Sequence, residues 1–216
     1  MMITPRILYF GTPVVLLSTE NSDGSANLAP ISSAWALGWT LVLGLGEDGH
    51  TARNLAERPD LVVNLPGAGQ WAAVERLAPL TGADPVPAGK QSSHRHVRDK
   101  FGAAGLAPIA SVSVRPPRVA ECPLQLEART ERIDRAAADG FFIVQARVLT
   151  VHADPSLVIP GTQHVDPARW HPLIYNFRHY FGLGRELGHS YRSETPRSRL
   201  DQGNHPNLGP RLRANP

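Results

Sequence analysis

Two hydroxyls in tandem, Ser32-Ser33, are followed by a Gly-rich stretch (Gly44, Gly46, Gly49) and then by His50-Thr51-Ala52-Arg53-Asn54. These residue types in this order suit an anion. A helix that starts at His50-Thr51 offers unpaired first-turn N–H groups and the positive end of its dipole. Arg53 and Asn54 on that first turn add charge and hydrogen bonds. Ser32 and Ser33, consecutive on a strand, send one side chain to each face. The pattern also fits solvated strand serines and a capping threonine, so spacing alone leaves both readings open. The glycines make no dinucleotide fingerprint, because no strand–glycine–helix unit with a distal acid follows.

Other reactive residue types carry less. His94-x-His96 would present two metal ligands from a strand, but no third ligand stands at a recognisable spacing beside it. The spacing predicts a surface helix there instead. Cys122, the single cysteine, has no local base or electropositive surroundings and reads as a packing residue. Glu127, Glu131, Asp134 and Asp139 are spaced as the charged face of a hairpin, not as an acid/base pair. His152, His164, His171 and His179 are scattered and read as structural.

The elements that must position the serines and the helix start are mostly strands. Pro13 to Thr19 is a short apolar run, and the turn after it contains Asp23-Gly24, a hairpin signal. A polar strand from Ala26 to Ala34 follows and contains Asn27, Leu28, Ala29, Pro30 and Ile31. Thr40 to Leu45 reads as a buried strand, His50 to Arg58 as a helix stopped by Pro59, and Leu61 to Leu65 as another strand. Helices are expected at 70–80 and 94–105. Val119 to Ile133, kinked at Pro123, and Phe141 to His152 both alternate apolar with polar residues, which predicts a long antiparallel hairpin. Leu173 to Leu183 reads as an aromatic strand pair. Strands outnumber helices and no βαβ rhythm or internal repeat appears. The chain is therefore mainly β with peripheral helices: a closed or split antiparallel barrel.

Composition sets the outer bounds. The chain has 216 residues, 42% of them hydrophobic, which supports one domain with a substantial core. A formal net charge of +3 without a dense basic run argues against nucleic-acid binding. A lone cysteine excludes an intrachain disulfide framework and fits a reducing compartment. The N-terminal apolar run is interrupted by Pro13 and is too short for a membrane span or a signal h-region, so no membrane association and a cytoplasmic location are expected. From Gly184 onward Arg, Ser, Gly, Asn and Pro dominate. The expected division is one domain over 1–184 and a tail over 185–216 with no core of its own.

The order of several short motifs is similar to that of a known family. Asn27-Leu28-Ala29-Pro30-Ile31-Ser32, His50-Thr51-Ala52-Arg53-Asn54, Leu61-Val62-Val63-Asn64, Arg98 to Leu106, Ala120 to Ala128 and Pro172 to Gly184 together resemble the flavin reductase-like FMN-binding split-barrel family, which includes flavoredoxin. The resemblance covers about residues 10–184 and rests on order and spacing more than on any single motif. It implies an FMN-binding split β-barrel of antiparallel Greek-key type, a homodimer, and FMN at the subunit interface. The phosphate would lie on Ser32, Ser33 and the His50–Asn54 helix start, with Thr51, Arg53 and Asn54 contributing. The isoalloxazine would lie against the Asn27–Ile31 backbone. NADH or NADPH is the implied hydride source, with a small molecule, oxygen or a partner monooxygenase as acceptor. Beside the surface-helix reading of the segment around His94-x-His96, a further option is that it covers the flavin and helps to accept the nicotinamide. No side-chain nucleophile or base is expected, since the cofactor carries the chemistry. The alternatives are a flavin-binding electron carrier, an interaction module, or a pyridoxamine-phosphate-oxidase-like oxidase on the same fold. Two departures stand out: Ala36-Leu37-Gly38-Trp39 replaces the family's proline-rich turn, and His50 replaces an aspartate.

Overall fold

In the computed structural model of the chain, residues 1–136 and 140–193 are described. The strands are β1 (Phe10–Pro13), β2 (Val15–Glu20), β3 (Ala26–Ile31), β4 (Ala34–Leu37), β5 (Thr40–Gly46), β6 (Asp60–Leu65), β7 (Leu80–Thr81), β8 (Arg95–His96), β9 (Pro108–Ile109), β10 (Arg118–Val119), β11 (Leu124–Ala136), β12 (Phe141–Ala153), β13 (Ile174–Asn176) and β14 (His179–Phe181). The helices are α1 (His50–Glu57), α2 (Trp71–Leu77) and α3 (Lys100–Ala104).

Seven strands form the central sheet in the order β3-β2-β6-β11-β12-β5-β4, every neighbouring pair antiparallel. Its two edges, β3 and β4, are joined by only Ser32 and Ser33. Consecutive Cα atoms lie about 3.8 Å apart, so two residues cannot span a flat seven-stranded sheet. The sheet must curl until its edges meet, which makes a barrel with a seam at the serine pair. The amide of Gly44 on β5 donates to the carbonyl of Ser33 at 2.8 Å, which extends the β4–β5 ladder to the seam.

The barrel interior holds Val15, Leu17, Leu43, Leu61, Val63 and Val144, and Ala52 and Leu55 of α1 close onto the same core. A second core lies outside the barrel, where Leu16 and Leu28 meet Val74 and Leu77 of α2 and Phe101 and Ala104 of α3. Strand β2 therefore buries both faces, which accounts for its unbroken apolar run. Asn64 is buried where the layers meet. Its amide donates to the Leu16 carbonyl and its side-chain oxygen accepts from the Val119 amide.

Several expectations are corrected. The polar strand ends at Ile31 and a new strand begins at Ala34, so Ser32 and Ser33 form the connection between strands. Trp35 to Thr40 is a β4–β5 hairpin whose tight turn uses Gly38 with φ +57°. Only Lys100–Ala104 of the expected 94–105 helix is helical. Arg95–His96 pairs in parallel with Leu80–Thr81 instead, because extended backbone there finds a neighbouring strand. Pro123 lies between β10 and β11 and kinks neither. Glu127 is fully buried, not part of a charged face: the Val112 and Ser113 amides and His152 Nε2 all donate to it. Burial pushes this carboxyl up, but those hydrogen bonds outweigh it and hold the group below the ordinary carboxylate range. The Gly140 turn, with φ +67°, closes the β11–β12 hairpin as its spacing suggests. Asp139, and the tail from 194 onward, lie outside the described residues. Among the described residues no helix is long and apolar enough to cross a membrane.

Candidate functional site

The seam opens onto two adjoining cavities that share Pro30, Ile31, Gly46, Ala78 and His94. The smaller has a volume of about 160 Å³ and is lined by Gly49, His50, Thr51, Lys90 and Lys100 among others. The larger, about 540 Å³, is lined by Ser32, Ser33, Gly44, Tyr9, Tyr175 and Tyr180. The serine pair and the helix start, expected around a single anion, thus stand at two neighbouring cavities.

The small cavity is built around the start of α1. Its N-cap is Gly49, not His50 or Thr51, and no side chain caps the helix. A Cβ at Gly49 would lie 2.7 Å from the Gly46 carbonyl oxygen, so the tight turn into the helix requires glycine there. The Thr51 hydroxyl turns inward and accepts from Asn27 Nδ2 at 3.1 Å. Asn27 also donates to Thr19 Oγ1, as does Asn54 Nδ2, and Asn54 donates to Asn21 Oδ1. Asn27, Thr51 and Asn54 are all buried, and this network locks the helix start onto the β2–β3 hairpin. The helix N–H groups stay uncapped at the cavity wall.

His50 completes the network through a 2.7 Å contact between Nε2 and Asn21 Oδ1. Asn21 Oδ1 already accepts from Asn54, so the proton of this contact sits on His50 Nε2. That leaves Nδ1 as a lone-pair acceptor, buried and without a partner, as is Asn27 Oδ1. Burial, then the positive charge of Arg53, Lys100 and other neighbours, pulls the His50 pKa down to about 4, so the ring is neutral near pH 7. Gly82 makes room for both groups: a Cβ there would lie 2.5 Å from His50 Cδ2 and 2.9 Å from Asn27 Oδ1.

The positive charge at the small cavity comes from Lys90 and from Lys100 of α3. Lys100 is 3% exposed and its Nζ donates to the Leu28 carbonyl at 3.0 Å. One ammonium proton is thereby engaged and two remain. Burial, then Lys90, lowers its pKa to about 8, which leaves it mostly charged at pH 7. His94 Nδ1 lies 2.9 Å from the Ser93 hydroxyl, and burial followed by Lys90 and Lys100 lowers its pKa.

Of the sequence-derived candidates, Ala29, Pro30, Ile31, His50 and Thr51 line the small cavity, and Pro30 through Ser33 line the large one. Leu28 is core, though its carbonyl receives Lys100. Asn27 and Asn54 stand behind the wall in the network. Arg53 is exposed and lines neither cavity. Sequence reasoning missed Lys90, Lys100 and the three tyrosines. Lys100 carried a signal: a lysine between Asp99, which caps α3, and Phe101, which enters the core, lies on a helix with an inward face.

A third hollow of about 870 Å³ adjoins the large cavity through Ser33 and Gly44. Phe10, Trp35, Leu37 and Ile143 line it and are exposed. Leu149 and Val151 continue the apolar face along β12.

Comparison with known proteins bears on the whole chain. The description "Flavin reductase like domain" matches residues 7–184. A Bacillus subtilis (strain 168) protein, the uncharacterised YdfE, is 44% identical over 195 residues, covering 89% of this chain and 94% of its own. The flavoredoxin of Desulfovibrio vulgaris (Miyazaki F) superposes with a TM-score of 0.74 at 19% identity, over 90% of this chain and 99% of its own. The Methanosarcina acetivorans flavoredoxin gives 0.72 at 18% identity, over 89% and 96%. At those identities the two structures speak for the fold alone. With its seven-stranded barrel and a match across residues 7–184, the chain belongs to the flavin reductase-like domain family.

Proposed function

We propose that this chain binds FMN and works as an NAD(P)H-dependent oxidoreductase, with the phosphate in the small cavity and the ring system in the large one. The observation that carries the reading is the division of charge between the cavities. The small one joins the uncapped start of α1 to Lys90 and Lys100, all donors suited to a phosphate. Among the described residues the large one is lined by no Asp, Glu, Lys or Arg and suits an uncharged ring. His50, at the wall of the small cavity, keeps a buried acceptor Nδ1 that no described group satisfies. The chain's residues therefore fit a flavin mononucleotide part by part. When bound, a flavin supplies two-electron chemistry, taking hydride at N5 from a reduced nicotinamide and passing electrons to an acceptor. The protein's part is to hold the phosphate, present backbone groups of Pro30–Ser33 and Gly44–Gly46 to the ring, and limit access of water.

The exposed face around Phe10, Trp35, Leu37 and Ile143 supports a homodimer, because its hollow runs into the ring cavity at Ser33 and Gly44. A second copy seated there would wall the site. Light scattering should then give a mass near twice 23.4 kDa. Cys122 is a free, buried thiol, and a cytoplasmic setting remains part of the proposal.

The test is anaerobic mixing. Protein loaded with FMN should be yellow and lose that colour when NADH or NADPH is added. Colour that persists with both nucleotides would leave a flavin-binding carrier, and failure to take up FMN would reject both readings.

A further inference from the structure

The large cavity has two unlike sets of lining residues. One is Pro30–Ser33 with Gly44 and Gly46. The other is Tyr9, Tyr175 and Tyr180. The tyrosines form a continuous tilted array, with ring centroids 5.5 Å apart for Tyr9–Tyr175 and 5.3 Å for Tyr175–Tyr180. Trp71 extends it, 6.5 Å from Tyr180.

This wall is held firmly. Tyr175 and Tyr180 are direct cross-strand partners on β13 and β14. Their register is fixed by a two-residue turn in which Phe177 and Arg178 hold φ of +44° and +69°, a left-handed backbone that is costly for residues with side chains. The turn is kept by its partners: the Phe177 amide donates to the Tyr9 carbonyl at 2.6 Å, which ties the first tyrosine to the other two. The Tyr180 hydroxyl donates to Glu75 Oε2 at 2.9 Å, fixing that ring as well. Burial, then this bond to Glu75, pushes the Tyr180 phenol up, so it stays neutral.

We propose that the tyrosine wall is a subsite for the ring of a second substrate, an uncharged and electron-poor planar ring of the quinone class. The inference rests on the flavin reading above, which gives the backbone of Pro30–Ser33 and Gly44–Gly46 to the isoalloxazine. Three points select the class. Among the described residues the cavity lining has no formally charged Asp, Glu, Lys or Arg side chain, so a charged ring would be desolvated without a partner there. Tyrosine faces are electron-rich and favour an electron-poor partner at stacking distance. The phenols of Tyr9 and Tyr175, unlike that of Tyr180, make no hydrogen bond among the described residues and can donate to ring carbonyls.

The test is equilibrium dialysis of duroquinone, an uncharged planar quinone, against FMN-loaded and FMN-free protein without reductant, beside a separate FMN titration. Saturable duroquinone binding to loaded protein, weakened about tenfold by Tyr175→Leu and by Tyr9→Leu, is expected. Tyr175→Phe should retain more than half of that affinity, and FMN affinity should stay within about twofold in all three variants. Thermal melting identifies any variant that fails to fold, and Tyr9→Leu, at the edge of the array, provides the second readout. Duroquinone that competes with FMN, or FMN affinity that falls with the tyrosine variants, would assign the wall to the flavin ring and overturn the proposal. Absence of saturable duroquinone binding would also overturn it. If the protein takes up no FMN, the flavin reading fails separately, and tyrosine-dependent duroquinone binding to the bare chain still decides the subsite.

Discussion

The two cavities at the barrel seam share a wall and differ in almost everything else. The small one is made by a helix start and a buried lysine, and its polar groups are tied into a network reaching back to Thr19 and Asn21. The large one is made by strand-end backbone and an aromatic hairpin, without a formally charged Asp, Glu, Lys or Arg side chain among the described residues. On the proposed reading the chain divides charge recognition and ring recognition between two cavities that share Pro30 and Ile31.

Substitutions should tell the two cavities apart. The largest effect is expected from Lys100→Met, which removes the buried charge at the small cavity. FMN affinity should fall by about 1.5–3 kcal/mol, the range for hydrogen bonds to charged groups, while riboflavin affinity stays nearly unchanged. Equal losses for both ligands would erase the distinction. Gly82→Ala follows, since its Cβ would press on His50 and Asn27. A stability loss of about 1–3 kcal/mol in urea unfolding is expected, as for other overpacked sites. A pH titration sharpens the same point. Phosphate prefers the charged Lys100, and the free group has a pKa of about 8. FMN affinity should therefore hold below pH 8 and decline as pH rises through it, with the decline absent in Lys100→Met. Smaller effects belong to the serine and arginine candidates. Ser33→Ala should cost about 0.5–1.5 kcal/mol for FMN and riboflavin alike, because Ser33 lines the ring cavity. Exposed Arg53→Ala should stay within about 0.5 kcal/mol in the same fluorescence titration.

Much of the barrel was legible because its strands follow simple rules. The alternation in Leu124–Ala136 and Phe141–Ala153 announced a hairpin, and the apolar run before Asn21 announced a strand, though not that both of its faces would be buried. The 94–105 segment misled because helical spacing over a few residues is weak against a neighbouring strand that needs a partner, here Leu80–Thr81. Glu127 misled for a different reason. Alternation marks a face, but it cannot show that a loop at Val112 and Ser113 will cover that face. At the site, the serine pair and the helix start were visible as an anion pattern. Their partition into two cavities was not, because it depends on Lys100 and the tyrosines arriving from distant parts of the chain. Arg53 looked attractive on the first turn, yet an eight-residue helix has an outer side too, and Arg53 occupies it.

The central claim is that the small cavity binds a phosphate and thereby anchors a flavin. Titration of the purified chain with FMN and with riboflavin, side by side at pH 7 and moderate salt, tests it most directly. FMN should bind at least about tenfold more tightly, as expected when one buried charge and the helix start act on the phosphate. Equal affinities, or no binding of either flavin, would contradict the assignment.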